Sequence, residues 1–325
     1  DYSGDQHPWS VGFSDTDFRK YRTMLCRFPN EGGILGPGSL KTVRGCTDRV
    51  GSFEWELHDN SVAYWDNNEY SPDAMIFNWT GRKVGEMSIE DYVYWGGVVQ
   101  GSGLAEYIKN FRRRMFDSSS AVFWMYNDVW PCVRSWTTVD HRLRRTPAYC
   151  PVRRAFQPVT VVVHEDGERI VVTGVNDTPH AVRGELRHGL FGLGGGYPLE
   201  RRGTVVLAAN AASELASFPR SAWSDVKAQL AFAELSVAGA LVARHRLMLP
   251  LPVEMAWRPA EVAVRVERGM AVFTSPVFAW GVCLDLDGER ALADNFFDVY
   301  PGTPYAIPWP HAEPPRIVGV GNLAR

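Results

Sequence analysis

Apolar and polar positions change their period along this chain, and the longest regular stretch is helical. Ile89, Tyr92, Val93, Val99, Leu104, Tyr107, Ile108 and Phe111 recur on one helical face, and Ser88 with Asp91 has the spacing of a capping box. Gly96, Gly97, Gly101 and Gly103 weaken that pattern, so a kink or break is expected. Arg112-Arg113-Arg114 reads as the helix end, its cations complementing the dipole and facing solvent. Around this helix, Thr23 to Phe28 and Ala121 to Tyr126 read as strands, the second buried. Ser39 to Cys46 reads as a short helix with a Ser cap, and Arg142 to Ala155 as a helix interrupted by Pro147 and Pro151. From Trp55 to Gly85 the residues are polar, aromatic and turn-forming with no period, which predicts a long insertion beside a site.

After Gln157-Pro158 the pattern shortens to strands between turns. Val159 to Val163, Arg169 to Val175, Ala181 to Leu186, Val205 to Ala208, Ala228 to Leu235 and Ala240 to Leu249 suit a β-sandwich. A second set follows Pro250-Leu251-Pro252: Val262 to Glu267, Met270 to Ser275, Val277 to Leu286 and a final Arg316 to Gly319. The expected division is therefore 1–156, 157–250 and 251–325. In the first part, two strand-plus-helix units in a row, with polar residues at the strands' carboxyl ends, suit the carboxy-terminal portion of a (β/α) TIM barrel with its site on that face.

Composition narrows the chemistry. The 325 residues carry a formal net charge of -3, which offers no field to attract nucleic acid or an anionic membrane. Twelve tryptophans concentrate in the first half, where aromatic faces suit both a core and a sugar-binding pocket. Five widely spaced cysteines (Cys26, Cys46, Cys132, Cys150, Cys283) fit neither a zinc pattern nor a disulfide framework and read as buried thiols. No signal peptide opens the chain and no apolar run of about 18 residues appears, so it reads as neither membrane-spanning nor visibly secreted; the compartment stays open, the cytoplasm slightly favoured. The opening at Asp1, without Met and inside a polar stretch, reads as the middle of a domain.

Four segments taken in order carry a family resemblance. Gly4-Asp5-Gln6-His7-Pro8-Trp9 resembles a Gly-Asp-x-His segment, and Asp17-Phe18-Arg19-Lys20-Tyr21-Arg22 a stretch that precedes a nucleophile-bearing strand. Asn30-Glu31-Gly32-Gly33 stands where Ser-Glu-Phe-Gly is usual. Phe123-Trp124-Met125-Tyr126-Asn127-Asp128-Val129-Trp130-Pro131, continued by Ser135-Trp136-Thr137-Thr138-Val139-Asp140, is similar to the segment at a last barrel strand. Together they resemble glycoside hydrolase family 2, in its β-mannosidase and exo-β-glucosaminidase branch. Asp294-Asn295-Phe296-Phe297-Asp298 resembles a signature of that branch's final sandwich.

The resemblance implies a retaining mechanism in which one carboxylate attacks the anomeric carbon and another, about 5 Å away, protonates the leaving oxygen. Glu31 is the candidate nucleophile, against the plain alternative of a strand-end Glu paired with Arg27. Asn30-Glu31 also has the look of an acid/base pair, but the flanking matches outweigh it. Asp5, His7 and Trp9 are candidate sugar contacts or loop packing. Trp124 is a candidate floor under the sugar, or core. Asn127 and Asp128 would bond hydroxyls or fix a loop, and Trp130 would wall the pocket or pack a loop. The acid/base Glu, which in the family lies on an earlier strand, is expected upstream of Asp1. Asn68-Glu69 has the right pair of residues but follows Glu31, the wrong order. Gly32-Gly33 in place of Phe-Gly removes an aromatic ring, which would widen the pocket. No metal or cofactor is implied; the partners implied are a carbohydrate and the upstream part of the same enzyme. Non-catalytic glycan binding is the rival reading, and galactosidase or glucuronidase specificity is disfavoured by the Asp5-His7 and Asp294 to Asp298 matches.

Overall fold

A computed structural model describes residues 4–61 and 71–323. The front of the chain is built from short elements. β1 (Asp5–Gln6) pairs in parallel with β2 (Phe28–Pro29), with the single turn α1 (Ser10–Phe13) between them. After β3 (Gly36–Pro37) come α2 (Leu40–Cys46), α3 (Phe53–Leu57), α4 (Pro72–Thr80) and α5 (Ile89–Arg112). β4 (Arg134–Ser135) pairs antiparallel with β3, and α6 (Tyr149–Ala155) closes this part. The Ser39 cap forms as its residue type predicts, its side chain accepting the Thr42 N–H at 3.3 Å.

α5 is the hub. Ser88 accepts the Asp91 N–H at 3.1 Å, and the whole expected face is buried. The expected break is absent: 24 residues run as one helix. Its glycines are slots for neighbours. A Cβ would stand 2.2 Å from Pro147 Cβ at Gly97, 2.8 Å from Pro151 Cγ at Gly101 and 2.0 Å from Ile34 Cδ1 at Gly103. Close packing thus offsets the intrinsic helix cost of glycine. The arginine run does not face solvent either. Arg112 is buried, donating to the Ala155 carbonyl and to Asp177 Oδ2, and Arg113 donates to the Arg22 carbonyl at 2.8 Å, because neighbouring chain covers the helix end.

Three more expectations for this part are corrected. The stretch from Trp55 to Gly85 holds the end of α3 and all of α4 rather than an aperiodic loop. Its Ser71-Pro72-Asp73 is an N-cap followed by a first-turn proline, and Gly81 at φ 72° ends α4. Ala121 to Tyr126 is extended but is not a buried strand: Val122, Trp124 and Tyr126 are exposed. It runs beside the Glu31 segment through Val122 N–H to Pro29 O at 3.2 Å and Trp124 N–H to Gly32 O at 2.8 Å, too irregularly for a ladder. Arg142 to Thr146 is not helical, because its backbone bonds go elsewhere: Arg145 N–H to Gly288 O at 3.3 Å and Thr146 N–H to Thr138 O at 2.9 Å.

The rest is β-structure. β5 (Val159–Asp166), β6 (Arg169–Asn176), β7 (Val182–Gly192), β8 (Leu199–Leu207), β9 (Ala211–Pro219), β10 (Gln229–Val237) and β11 (Ala240–Leu247) form two antiparallel sheets, β5-β6-β9 and β11-β10-β7-β8. Val161, Val163, Ile170 and Val172 meet Leu186, Leu190, Ala231 and Ala233 in the core between them. β9 escaped the sequence pattern, since its small and polar residues are mostly half-exposed.

Two further sheets follow, β12-β13-β16 and β14-β15. Their strands are β12 (Ala263–Glu267), β13 (Met270–Thr274), β14 (Ala279–Val282), β15 (Phe297–Val299) and β16 (Tyr305–Pro308). The long strand expected over Val277 to Leu286 shortens to β14, and the expected final strand is a single bridge between Gly319 and Cys283. Pro314-Pro315 immediately before it removes ladder donors. One aromatic core joins these sheets to the front part, with Phe191 against Tyr300 at 4.8 Å and Trp257 stacked on Trp280 at 5.3 Å. Four cysteines are buried and Cys46 is half-buried, all as free thiols. No helix among the described residues is long and apolar enough to cross a membrane.

The glycine slots predict opposite signs for one substitution. Gly97→Ala is expected to lower unfolding free energy by about 1–3 kcal/mol through overpacking against Pro147. Gly45→Ala, on the exposed side of α2 with nothing within 4 Å of its Cβ position, is expected to raise it by up to about 1 kcal/mol. Urea unfolding of the two variants checks the pair.

Candidate active site

Glu31 leaves the β2 segment at the edge of a cavity of about 300 Å³, lined also by Trp9, Phe13, Asn60, Trp124, Met125 and Trp136. Trp9 Nε1–H donates to Glu31 Oε2 at 3.0 Å. Among the described residues no donor meets the other oxygen, Oε1. One oxygen is therefore fixed and the other is open to the cavity's contents. The Glu31 side chain keeps 33% of its exposure, enough to stay hydrated. Arg27 does not pair with it; its guanidinium lies 3.7 Å from Asp117.

His7 bridges two carboxylates. Its Nδ1 lies 3.6 Å from Glu31 Oε2 and its Nε2 3.7 Å from Asp5 Oδ2. These are ion-pair rather than hydrogen-bond distances, effective when the ring is protonated. β1 sets this arrangement, since its parallel pairing brings Asp5 and Gln6 beside Phe28 and Pro29, and the Asn30 N–H donates to Gln6 O at 3.1 Å.

The glycine pair after Glu31 is filled, not open. A Cβ on Gly32 would lie 2.6 Å from Tyr107 Cε2, and one on Gly33 2.2 Å from the Trp124 carbonyl oxygen. The expected wider pocket is thus corrected at Gly32: the space beside it belongs to Tyr107, a fully buried ring whose hydroxyl donates to Val122 O at 2.6 Å.

The other sequence candidates separate. Trp124 lines the cavity and is 43% exposed, so it is not core. Asp128 is buried, with Ser135 Oγ donating to one oxygen at 2.7 Å and Thr137 Oγ1 to the other at 2.6 Å. Burial pushes its carboxyl above the ordinary range, and the hydroxyls of Thr137 and Ser135 pull against that. It therefore fixes a loop. Asn127 donates to the Asp128 carbonyl at 3.2 Å, and Trp130 stacks on His58 at 5.4 Å. Asp5, His7, Asn127, Asp128 and Trp130 do not line the cavity. Asn68-Glu69 lies outside the described residues.

Phe13, Asn60, Met125 and Trp136 were missed by sequence reading as site residues. Trp136 stands in a matched segment and meets Trp9 edge-on at 6.4 Å, so its signal was present. Asn60 gave none; it reaches the wall by donating to Ser135 Oγ at 3.3 Å. Among the described residues no group of three or more His, Cys, Asp or Glu side chains is placed to hold a metal ion.

No family model matches the chain. β-Mannosidase B of Aspergillus niger is 27% identical over 168 residues, 50% of this chain and 19% of that protein. β-Mannosidase B of Thermothelomyces thermophilus is 27% identical over 180 residues, 49% of this chain and 19% of that protein. The matched stretch is therefore about a fifth of the length of these curated relatives. Among solved structures, the β-D-mannosidase of Dictyoglomus thermophilum superposes with a TM-score of 0.83 at 24% identity, covering 95% of this chain and 38% of that one. The exo-chitosanase of Amycolatopsis orientalis, solved with PNP-β-D-glucosamine, gives 0.65 at 16% identity, covering 94% and 42%. These two likenesses show a shared fold. Relatives and neighbours together bear out the resemblance read from the sequence, to the carboxy-terminal part of β-mannosidase-like proteins of glycoside hydrolase family 2.

Proposed function

We propose that this chain is the carboxy-terminal part of a retaining exo-glycosidase that hydrolyses terminal β-linked, mannoside-like sugars, with Glu31 as nucleophile. The observation that carries the reading is Glu31 itself: one oxygen held by Trp9, the other open to a cavity walled by Trp124 and Trp136. Such a carboxylate is oriented for attack, and the indole faces suit the C–H face of a sugar ring. His7 and Asp5 extend the polar edge. In this reading residues 1–156 are the last part of a TIM barrel, followed by sandwich domains 157–250 and 251–325. Support comes from three extended segments lying side by side, β1, the Glu31 segment and Ala121 to Tyr126.

The acid/base partner belongs to chain upstream. The exposed side of the third segment away from the cavity, Val122 and Tyr126, is then the face that upstream chain covers. The mechanism follows: Glu31 displaces the leaving group to form a glycosyl ester, the partner acid protonates the departing oxygen, and the same group then activates the water that frees the sugar. A second reading, glycan binding without cleavage, is favoured by one fact: among the described residues Glu31 is the only carboxylate in its cavity wall. Binding with no turnover in the upstream-extended chain would select it.

Two substitutions test the proposal in the upstream-extended chain, assayed on aryl β-mannosides and β-glucosaminides with the 325-residue segment alongside. The segment alone is expected to show no turnover and the extended chain to be active. Glu31→Gln is expected to lower kcat/KM by about a thousandfold or more while the protein stays folded. Activity of the segment by itself that disappears in Glu31→Gln overturns the upstream-acid assignment. Trp9→Phe keeps an aromatic side chain, smaller than the indole, and removes the N–H; its kcat is expected to fall by about 10–100-fold, the worth of a hydrogen bond to a charged group. An unchanged kcat would remove Trp9 from the site.

A further inference from the structure

A second cavity, of about 130 Å³, lies where α5 and α6 meet β11, β14 and β15. It is many times the roughly 10–15 Å³ that one water needs, and it shares no lining residue with the Glu31 cavity. Its wall carries four cations, Lys109, Arg154, Arg244 and Arg246, against two carboxylates, Glu106 and Asp298. Those carboxylates are already engaged. Arg22 donates to the two oxygens of Glu106 at 2.8 and 3.0 Å. Arg246 Nε and the Gly281 N–H donate to Asp298 at 2.7 and 3.0 Å.

The arginines are engaged as well, except that among the described residues Arg244 Nε is buried without an acceptor and its Nη2 has the Glu234 carboxylate at 3.0 Å as an ion-pair partner. Arg154 donates to Asp294 and to the carbonyls of Asn295 and Phe296, and Arg244 donates to the Asp298 carbonyl at 3.0 Å. Lys109 differs. It is 9% exposed, and among the described residues no carbonyl or carboxylate accepts a hydrogen bond from its ammonium. Burial pushes its pKa down to about 7; Arg154 and Arg246 add to the depression, and Glu106 and Asp298 oppose it through space. A cation without an acceptor, in a wall where cations outnumber carboxylates, is only partly compensated for its burial and is poised for an anion.

His245 adds a directed donor. Its Nδ1 accepts the Val163 backbone N–H at 2.9 Å, and burial keeps the ring neutral, so the remaining proton sits on Nε2. Trp280, Phe297 and Tyr300 supply apolar surface to the remaining wall.

We propose that this cavity binds a small oxyanion, with the Lys109 ammonium as its main contact and the His245 Nε2–H as a second donor. The wall is shared between α5 and the later strands, so an anion there ties the front of the chain to its β-sheets. The proposal is independent of the glycosidase reading.

The test is calorimetric titration of the chain with sodium phosphate and, separately, sodium malonate, each against sodium chloride at equal ionic strength. One saturable site for either oxyanion is expected, with Kd at least about tenfold weaker in Lys109→Met and unchanged in Glu31→Gln. At about pH 8, two buffers of different ionisation heat are expected to reveal proton uptake on binding, because an anion raises the ammonium pKa. Lack of saturable binding by either oxyanion overturns the site, as does an unchanged Kd in Lys109→Met. Should that variant fail to fold, binding to the unaltered chain without proton uptake overturns it.

Discussion

Burial of α5 on nearly every side is the constraint on which the rest depends. A helix in that position must let its neighbours approach its backbone, and glycines are what allow it. Pro147 and Pro151 seat on Gly97 and Gly101, which fixes the turn into α6, while Ile34 and Phe18 seat on Gly103. The same helix reaches the Glu31 segment with polar groups. Gln100 Nε2 donates to the carbonyls of Ile34 and Ser135 at 3.0 and 3.3 Å, and the Tyr107 ring fills the space beside Gly32. Glu31 is thus positioned by a rigid element behind it, and its own local structure, two residues of β2, would not hold it alone.

Charge does in the junctions what apolar packing does in the cores. Asp17 caps the turn that follows it and pairs with Arg19 at 2.7 Å, while Arg19 and Arg22 donate to the carbonyls of Leu249 and Met248 at 2.6 and 2.8 Å. The Asp294 to Asp298 segment works from the other side. Asp294 takes Arg154 and the Tyr305 hydroxyl, Asn295 accepts the Leu284 N–H at 2.8 Å, and Asp298 takes Arg246. Two segments that carried the family resemblance are therefore clamps between parts of the chain. Partly buried pairs of this kind add little net stability over apolar packing, but losing one partner leaves the other without its counter-charge, which makes the relative placement specific.

Period and cap chemistry made the long elements legible. The α5 face, the Ser39 and Ser88 caps and six of the seven strands β5 to β11 follow from residues read locally. What was not legible depends on partners far away in sequence. Glycines at 96 to 103 predict a break unless Pro147 and Pro151 are known to fill them. Ser71-Pro72-Asp73 fits a turn as well as a helix start, and α4 follows because Met75, Ile76 and Trp79 find the core. At the site, Glu31, Trp9 and Trp124 stand in recognisable segments. Asn60 and Phe13 have no local mark, and Asp128 looked equally suited to sugar or loop until Ser135 and Thr137 closed on it.

On the proposed reading, the tryptophans divide by what each ring still exposes. Trp55, Trp79 and Trp95 are buried around α5, with Trp79 stacked on Phe18 at 3.5 Å, and the indole N–H groups of Trp55 and Trp79 donate to Asp59 and the Thr16 carbonyl. Trp9 and Trp124 keep free faces at a cavity that also contains the carboxylate. An exposed indole beside Glu31 gains nothing for folding that a buried one would not gain more cheaply. Its position therefore argues for a ligand with apolar faces and polar edges, the description of a sugar ring. Where Trp9 donates its N–H to Glu31, recognition and catalysis share one side chain: the ring that would stack on the sugar is the ring that orients the attacking carboxylate by holding its other oxygen.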